Sequence, residues 1–298
     1  MTPQSVQLKL EPVNAAPIQH YDQRLTTQQL TEAHKTEALK FLEERPLETF
    51  VMNGLIRDNG IESLLNRGTF YGCRGNEGRL EGVALLGHAV FIDAPSAQAR
   101  RSLAKVARRS QKMHMIMGER RTVENFWACY SVAGLSPRLA TLQVLLALNA
   151  LHGDGARLSN LRRARVSDLD LLVPVHASLA CLESGVNPLS IDPVGFRARC
   201  RRRIEQGRIW VWIEHARLIF KADIISETPH VSYIEGVYVD PEMRRQGHGV
   251  RCLADLCRAL LPQTGSVCVL VNEAHRDAQR FFEKVGFVRR GLHQTIFL

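Results

Sequence analysis

Apolar and polar positions along this chain switch between a helical period and a strand period, and the switches set out its elements. Residues 1–24 are polar, with one short strand expected at Val6 to Leu10. A helical pattern runs from Thr31 to Glu44 and stops at Arg45-Pro46. A second helix is expected from Pro46 to Arg57, with Phe50, Val51, Leu55 and Ile56 as its apolar contacts, closed by Asp58-Asn59-Gly60. Strands follow at Gly68 to Arg74 and, as one or two pieces, Leu80 to Phe91. A basic helix over Asp93 to Lys112, a strand at Met113 to Met117 and a helix at Arg121 to Tyr130 complete this half.

The apolar run Leu139 to Leu151 is too short to cross a bilayer and reads as a buried helix or an inter-domain element. His152-Gly153-Asp154-Gly155 reads as a turn or linker, which places a boundary near Gly153 and two domains at residues 25–152 and 158–298. Beyond it come a short strand near Leu161 to Val166, a helix from about Ser167 to Leu182 and a second over Asp192 to Glu205. Strands at Trp210 to Ile213 and Leu218 to Ile225 precede Tyr233 to Val239, rich in aromatic and β-branched residues. Val267 to Val271 is a strand, Ala278 to Val285 a helix, and Phe287 to Leu298 the last one or two strands. The order of elements in the second half repeats that of the first in outline, which suggests a degenerate copy.

The most informative stretch is Val231 to Leu260. Asp240-Pro241 stops its strand, and Gly247 and Gly249 then bracket His248 ahead of a helix carrying Val250, Leu253, Cys257 and Leu260 on one face. Glycines there admit a close ligand, and the first N–H groups of the helix have no partner within it, so the turn can cradle a phosphate. A nucleoside-triphosphate loop needs Lys and Ser or Thr after the glycines, where Val250 and Arg251 stand. A dinucleotide fingerprint fails because Cys252 occupies its third glycine position. In the first half the corresponding turn, Ile92 to Ser96, lacks the spaced glycines and is not expected to hold a cofactor.

Arg244-Arg245-Gln246-Gly247-His248-Gly249 resembles the acetyl-CoA motif of the GNAT N-acetyltransferase superfamily: Gln or Arg, two residues, Gly, one residue, then Gly or Ala. Val237-x-Val239-Asp240-Pro241 before it, and Val269 to Asn272 with Ala278, Phe281, Phe282, Gly286 and Phe287 after it, resemble further blocks of the family. The resemblance covers residues 160–298, and the stretch Phe41 to Phe91 looks like the N-terminal region of certain two-domain bacterial members. It implies a mixed α+β GNAT fold, two such domains in tandem, and acetyl-CoA (CoA) as cofactor. It further implies that backbone groups of Val237, Tyr238 and Val239 bond the pantetheine arm. The amides of Gln246, Gly247, His248, Gly249 and Val250 would take the pyrophosphate. Arg244, Arg245, Asn272 and Phe282 would also lie at the cofactor.

Acetyl transfer to an amine needs a polarised carbonyl, a base and a protonated leaving group. Glu235, just before the cradle on the central strand, is the candidate base, with a structural salt bridge as its bland alternative. Many relatives carry a Tyr acid where this chain has Phe282, which has no proton to give. Tyr233 or Tyr238 could serve instead, the thiolate could leave unaided, or catalysis could be lost. The expected function is therefore acetyl-CoA-dependent N-acetylation of a primary amine, on a small molecule or a peptide. A non-catalytic acyl-CoA-binding sensor or scaffold is the alternative.

Composition changes this picture little. Among 298 residues, 45% hydrophobic and 23% charged fit a globular protein, and the net charge of +9 suits an anionic ligand. The Arg100 to Lys112 and Arg197 to Arg203 clusters raise nucleic acid as a distant third reading, without any zinc finger or aromatic–basic motif. The seven cysteines form no C-x-x-C pair, no metal spacing occurs, and no leader or spanning segment is visible, so a cytoplasmic protein is expected.

Overall fold

A computed structural model describes residues 25–109, 113–131, 135–151 and 160–298. The strand expected at Val6 to Leu10, the end of the basic helix at Lys112, and the boundary near Gly153 lie outside the described residues.

The first half contains β1 (Thr26–Gln29), α1 (Lys35–Glu43), α2 (Pro46–Asn59), β2 (Gly68–Arg74), β3 (Leu80–Gly87), β4 (Ala89–Asp93), α3 (Ala97–Ala107), β5 (Met115–Glu119), α4 (Arg120–Tyr130) and β6 (Leu139–Leu148). The second contains β7 (Arg162–Arg163), α5 (Leu169–Ser184), α6 (Pro188–Ile191), α7 (Pro193–Glu205), β8 (Ile209–Glu214), β9 (Arg217–Glu227), β10 (Ser232–Val239), α8 (His248–Leu260), β11 (Val267–Asn272), α9 (Arg276–Glu283) and β12 (Val288–Phe297). Pro46 begins α2 where a missing N–H costs nothing, and Gly185 ends α5 in the left-handed conformation.

The twelve strands of the described residues form one mixed sheet in the order β1-β2-β3-β4-β5-β12-β6-β11-β10-β9-β8-β7. The order discloses a pseudo-twofold arrangement in which the halves exchange their last strands. β6 runs antiparallel to β11 of the second half, and β12 runs antiparallel to β5 of the first. The two exchanged strands pair with each other at the centre, from Val288↔Ala147 to Phe297↔Leu139.

This corrects the helix reading of Leu139 to Leu151, one of the two alternatives for that run. The run is apolar at successive positions because the strand is buried on both faces, a pattern that periodicity cannot tell from a buried helix. Val144, Leu146 and Leu148 pack in the cluster that α8 and α9 cover. Leu145 and Ala147 pack with Phe50, Tyr233 and Cys268 on the face that carries α2. Helix α2 thus reaches under the second half, where Ser226 Oγ donates to the Phe50 carbonyl at 2.5 Å. Asp58 takes both terminal nitrogens of Arg208 at 2.6 Å.

His293 lies on β12 at this join, 1% exposed, its ring centroid 5.8 Å from that of Phe50. Neither ring nitrogen has a partner among the described residues, and burial pushes its pKa down to about 4. The folded value lies below the unfolded 6.5, so the neutral ring contributes stability above pH 6.5 that is lost as pH falls toward 4. Melting curves should therefore show stability lost by up to about 1.4 kcal/mol per pH unit in that window. The same fall in a His293→Phe variant would contradict this assignment.

Candidate functional site

Strand β10 starts as an ordinary member of the sheet. It pairs in parallel with β11 through Ser232↔Val267, Tyr233↔Cys268 and Ile234↔Val269, and the pairing ends there. Both strands continue, to Val239 and Asn272, so a gap opens between them from Glu235 onward. On the other side, β10 pairs Glu235 with Asp223 and Tyr238 with Lys221, so it carries one extra residue: a bulge.

Gly236 makes the bulge, with φ +59°. A Cβ there would stand 2.9 Å from Lys221 Nζ and 3.1 Å from Asp223 Oδ2. The Lys221 ammonium is fully buried, donating to the Gly236 carbonyl at 2.8 Å and to Asp223 Oδ2 at 3.0 Å. His176 Nδ1 of α5 is 3.2 Å from the same carboxylate oxygen. Burial raises the pKa of Asp223, but Lys221 and His176 outweigh it and hold the carboxyl below its usual range. A buried cation thus fixes the carbonyl that would otherwise be left unbonded by the bulge. Sequence reasoning missed this network. Its signals were a glycine within a strand pattern, and Lys221 and Asp223 interrupting an apolar strand.

The bulge distributes the side chains of β10. Val237 and Val239 pack toward α8, whereas Tyr238 packs on the cluster of α5 and α7. Tyr233 is 4% exposed, its ring 4.4 Å from that of Phe50. Burial first, then the charge of the neighbouring Glu235, push its pKa well above the ordinary value. Tyr233 lies before the strands part and Tyr238 after. Glu235 is half-buried, and Glu183 near the end of α5 is its electrostatic neighbour. Glu183 is exposed to solvent. Desolvation, then the Glu235 charge, raise its pKa to about 8, a shift that its access to solvent softens. Glu183 was not singled out from the sequence, because nothing local marks a helix carboxylate as facing a strand far along the chain.

At the end of the gap stands the glycine turn. Gly247 caps α8 in the left-handed conformation, φ +80°, and no side chain caps the helix among the described residues. Gly249 is buried, and a Cβ there would meet Val239 Cγ2 at 2.7 Å and Phe281 at 3.0 Å. The turn is open to solvent from Arg244 to Gly247. Arg244 Nε donates to the Val239 carbonyl at 3.0 Å, and Gln246 Nε2 to the Glu242 carbonyl at 3.0 Å. His248 stands edge-on to Trp212, and its Nδ1 lies 3.3 Å from Arg251. Arg245 is exposed with φ +62°, and Val250 is half-buried. Asn272 Oδ1 accepts the Ala274 N–H at 2.9 Å, so that oxygen serves as a local cap. Phe282 is 5% exposed, edge-on to Phe281 and Phe287.

In the first half β4 and β5 also stop pairing, at Phe91↔Met117, before they end at Asp93 and Glu119, but the turn beyond them is closed. There β3 and β4 pair without a bulge, and Ser96 Oγ accepts the Ala99 N–H at 3.0 Å to cap α3. Arg100 covers the turn by donating to the Ala94 and Pro95 carbonyls. Between the ends of β4 and β5 only about 10 Å³ remains, filled on one side by Glu48 to Met52 of α2. The arginines of α7 are largely engaged, Arg197 with Asp170, Arg199 with Asp192 and Arg201 with Glu205. All seven cysteines are free, and among the described residues no helix is long and apolar enough to cross a membrane.

A strand pair that splays beside an uncapped, glycine-opened helix start is the geometry of an acyl-CoA N-acyltransferase fold. Residues 189–287 match the acetyltransferase (GNAT) family. Solved structures agree on the fold over nearly the whole chain. A Drosophila protein is similar at 14% identity and TM-score 0.64, covering 91% of this chain and 98% of its own. A tandem GNAT protein from the clavulanic acid biosynthesis pathway is similar at 14% identity and TM-score 0.54, with the same coverage. A GNAT-family acetyltransferase from Colwellia psychrerythraea is similar at 11% identity and TM-score 0.56, covering 92% of this chain and 100% of its own. No curated protein matches the chain.

Proposed function

We propose that the second half binds acetyl-CoA in the gap between β10 and β11 and acetylates a primary amine. The observation that carries this reading is the parting of the two strands after Ile234↔Val269, directly beside the uncapped start of α8. The residues fit the cofactor. The N–H groups from Gln246 to Val250 suit a pyrophosphate, and any side chain at Gly249 would collide with Val239 or Phe281. Arg245 adds positive charge there, and backbone groups of Val237 to Val239 suit the amide-bearing arm. When bound, acetyl-CoA supplies the acyl group as a thioester.

The chain's own residues perform the remaining work. Glu235 removes the proton that the acceptor amine must shed. The Glu235 carboxylate favours a cationic amine, on a small molecule or a peptide, over an anionic acceptor. A main-chain N–H in Val237 to Val239 polarises the acceptor-facing carbonyl. Tyr238, half-buried beyond the point of parting, is the better placed proton donor to the departing sulfur. The first half walls the acceptor side through α2. The alternative, a CoA-binding sensor without turnover, is favoured by Phe282, a buried side chain with no proton where many relatives carry Tyr.

In a thiol-release assay, Glu235→Gln should lower kcat about 100-fold or more while acetyl-CoA affinity stays within about twofold. An unchanged rate across pH would remove Glu235 from the base role.

A further inference from the structure

A further cavity lies elsewhere. About 710 Å³ in volume, it lies over β12 beside the start of α4 and shares no residue with the gap or the cradle. Four arginines line it, Arg120 and Arg121 from α4 and Arg289 and Arg290 from β12, together with Glu119 and Glu124.

Adjacent residues of a regular strand point to opposite faces, so one strand would not ordinarily offer two consecutive arginines to one cavity. Here the register steps from Arg289↔Leu146 directly to Gly291↔Leu145, leaving Arg290 as an extra residue. The bulge turns both guanidinium groups into the same space. Gly291 adds room, since a Cβ there would meet nothing within 4 Å.

The two acids do not neutralise this cluster. Glu119 caps α4, its carboxylate accepting the N–H groups of Arg121 at 3.0 Å and Thr122 at 2.8 Å. Glu124 pairs with Arg120 at 2.8 Å. The side chains of Arg121, Arg289 and Arg290 have no hydrogen-bond or ion-pair partner among the described residues. Three uncommitted guanidinium forks around a cavity of small-molecule size match a ligand with several oxyanions, each able to take two parallel N–H bonds.

We propose that this cavity binds a small polyanion carrying two or more phosphate or carboxylate groups, at a site separate from the cofactor gap. Calorimetry on the full chain at low salt, with inorganic pyrophosphate and with citrate as probes, tests it. Wild type should bind at least one probe, and Arg289→Glu/Arg290→Glu should weaken that binding tenfold or more. Gly247→Asp, which alters the cradle, should leave it within about twofold. Pyrophosphate alone binding would assign a phosphate ligand, and citrate alone a carboxylate ligand. The proposal is overturned if neither probe binds at millimolar concentration. It is also overturned if the double variant binds like wild type, or if Gly247→Asp abolishes the binding.

Discussion

Gly247→Asp is expected to weaken acetyl-CoA binding about 100-fold, roughly 2.7 kcal/mol, while leaving the fold intact. Space is not the reason, since a Cβ at Gly247 would meet nothing within 4 Å. Two other effects act. A residue with a side chain at φ +80° carries a strain of about 1 kcal/mol, which aspartate tolerates better than most. More important, its carboxylate can cap the free N–H groups at the start of α8, consuming the donors and repelling a phosphate with like charge. Calorimetry with acetyl-CoA checks this, with far-ultraviolet dichroism as the control for folding. Wild-type affinity in the variant would mean that the α8 turn is not the anion cradle.

Lys221→Met should be the most destabilising single change near the site. It removes the fully buried charge that bonds both Asp223 and the Gly236 carbonyl, leaving Asp223 with His176 and with Arg203 at 3.9 Å. Breaking a buried pair by deleting one partner costs about 3–5 kcal/mol, because the remaining charge is stranded. His176 cannot fully take over, since burial holds its pKa down despite the carboxylate beside it. Thermal unfolding should show a midpoint lower by about 10 °C. Lys221→Met/Asp223→Leu should recover part of the loss by removing the stranded carboxylate, although the bulge carbonyl stays unbonded. A single variant within about 1 kcal/mol of wild type would show that the network does not hold the bulge.

The central strand, its Asp240-Pro241 end, the Gly247 turn and α8 were legible because each is a local feature: β-branched residues, a breaker, glycines, a helical face. What escaped was non-local. The exchange of β6 and β12 depends on which strand finds which neighbour across the join, and a doubly buried strand has no polar face to report its period. β1 escaped for the opposite reason, since Thr26 to Gln29 on the sheet edge is polar throughout. Within the site, Glu235 and the tyrosines could be named from their place on the strand. Their distribution could not, because one bulge residue shifts the alternation and sends Tyr238 toward α7 while Val237 and Val239 face α8. Arg289 and Arg290 followed the same rule on β12.

Release of free thiol from acetyl-CoA by the full chain, across a panel of primary amines, amino acids and short peptides, tests the central claim most directly. Release that depends on a cationic amine and disappears in Gly247→Asp is the expected result. Acetyl-CoA that fails to bind, or that binds in the first half at Asp93 to Ser96, would contradict the account.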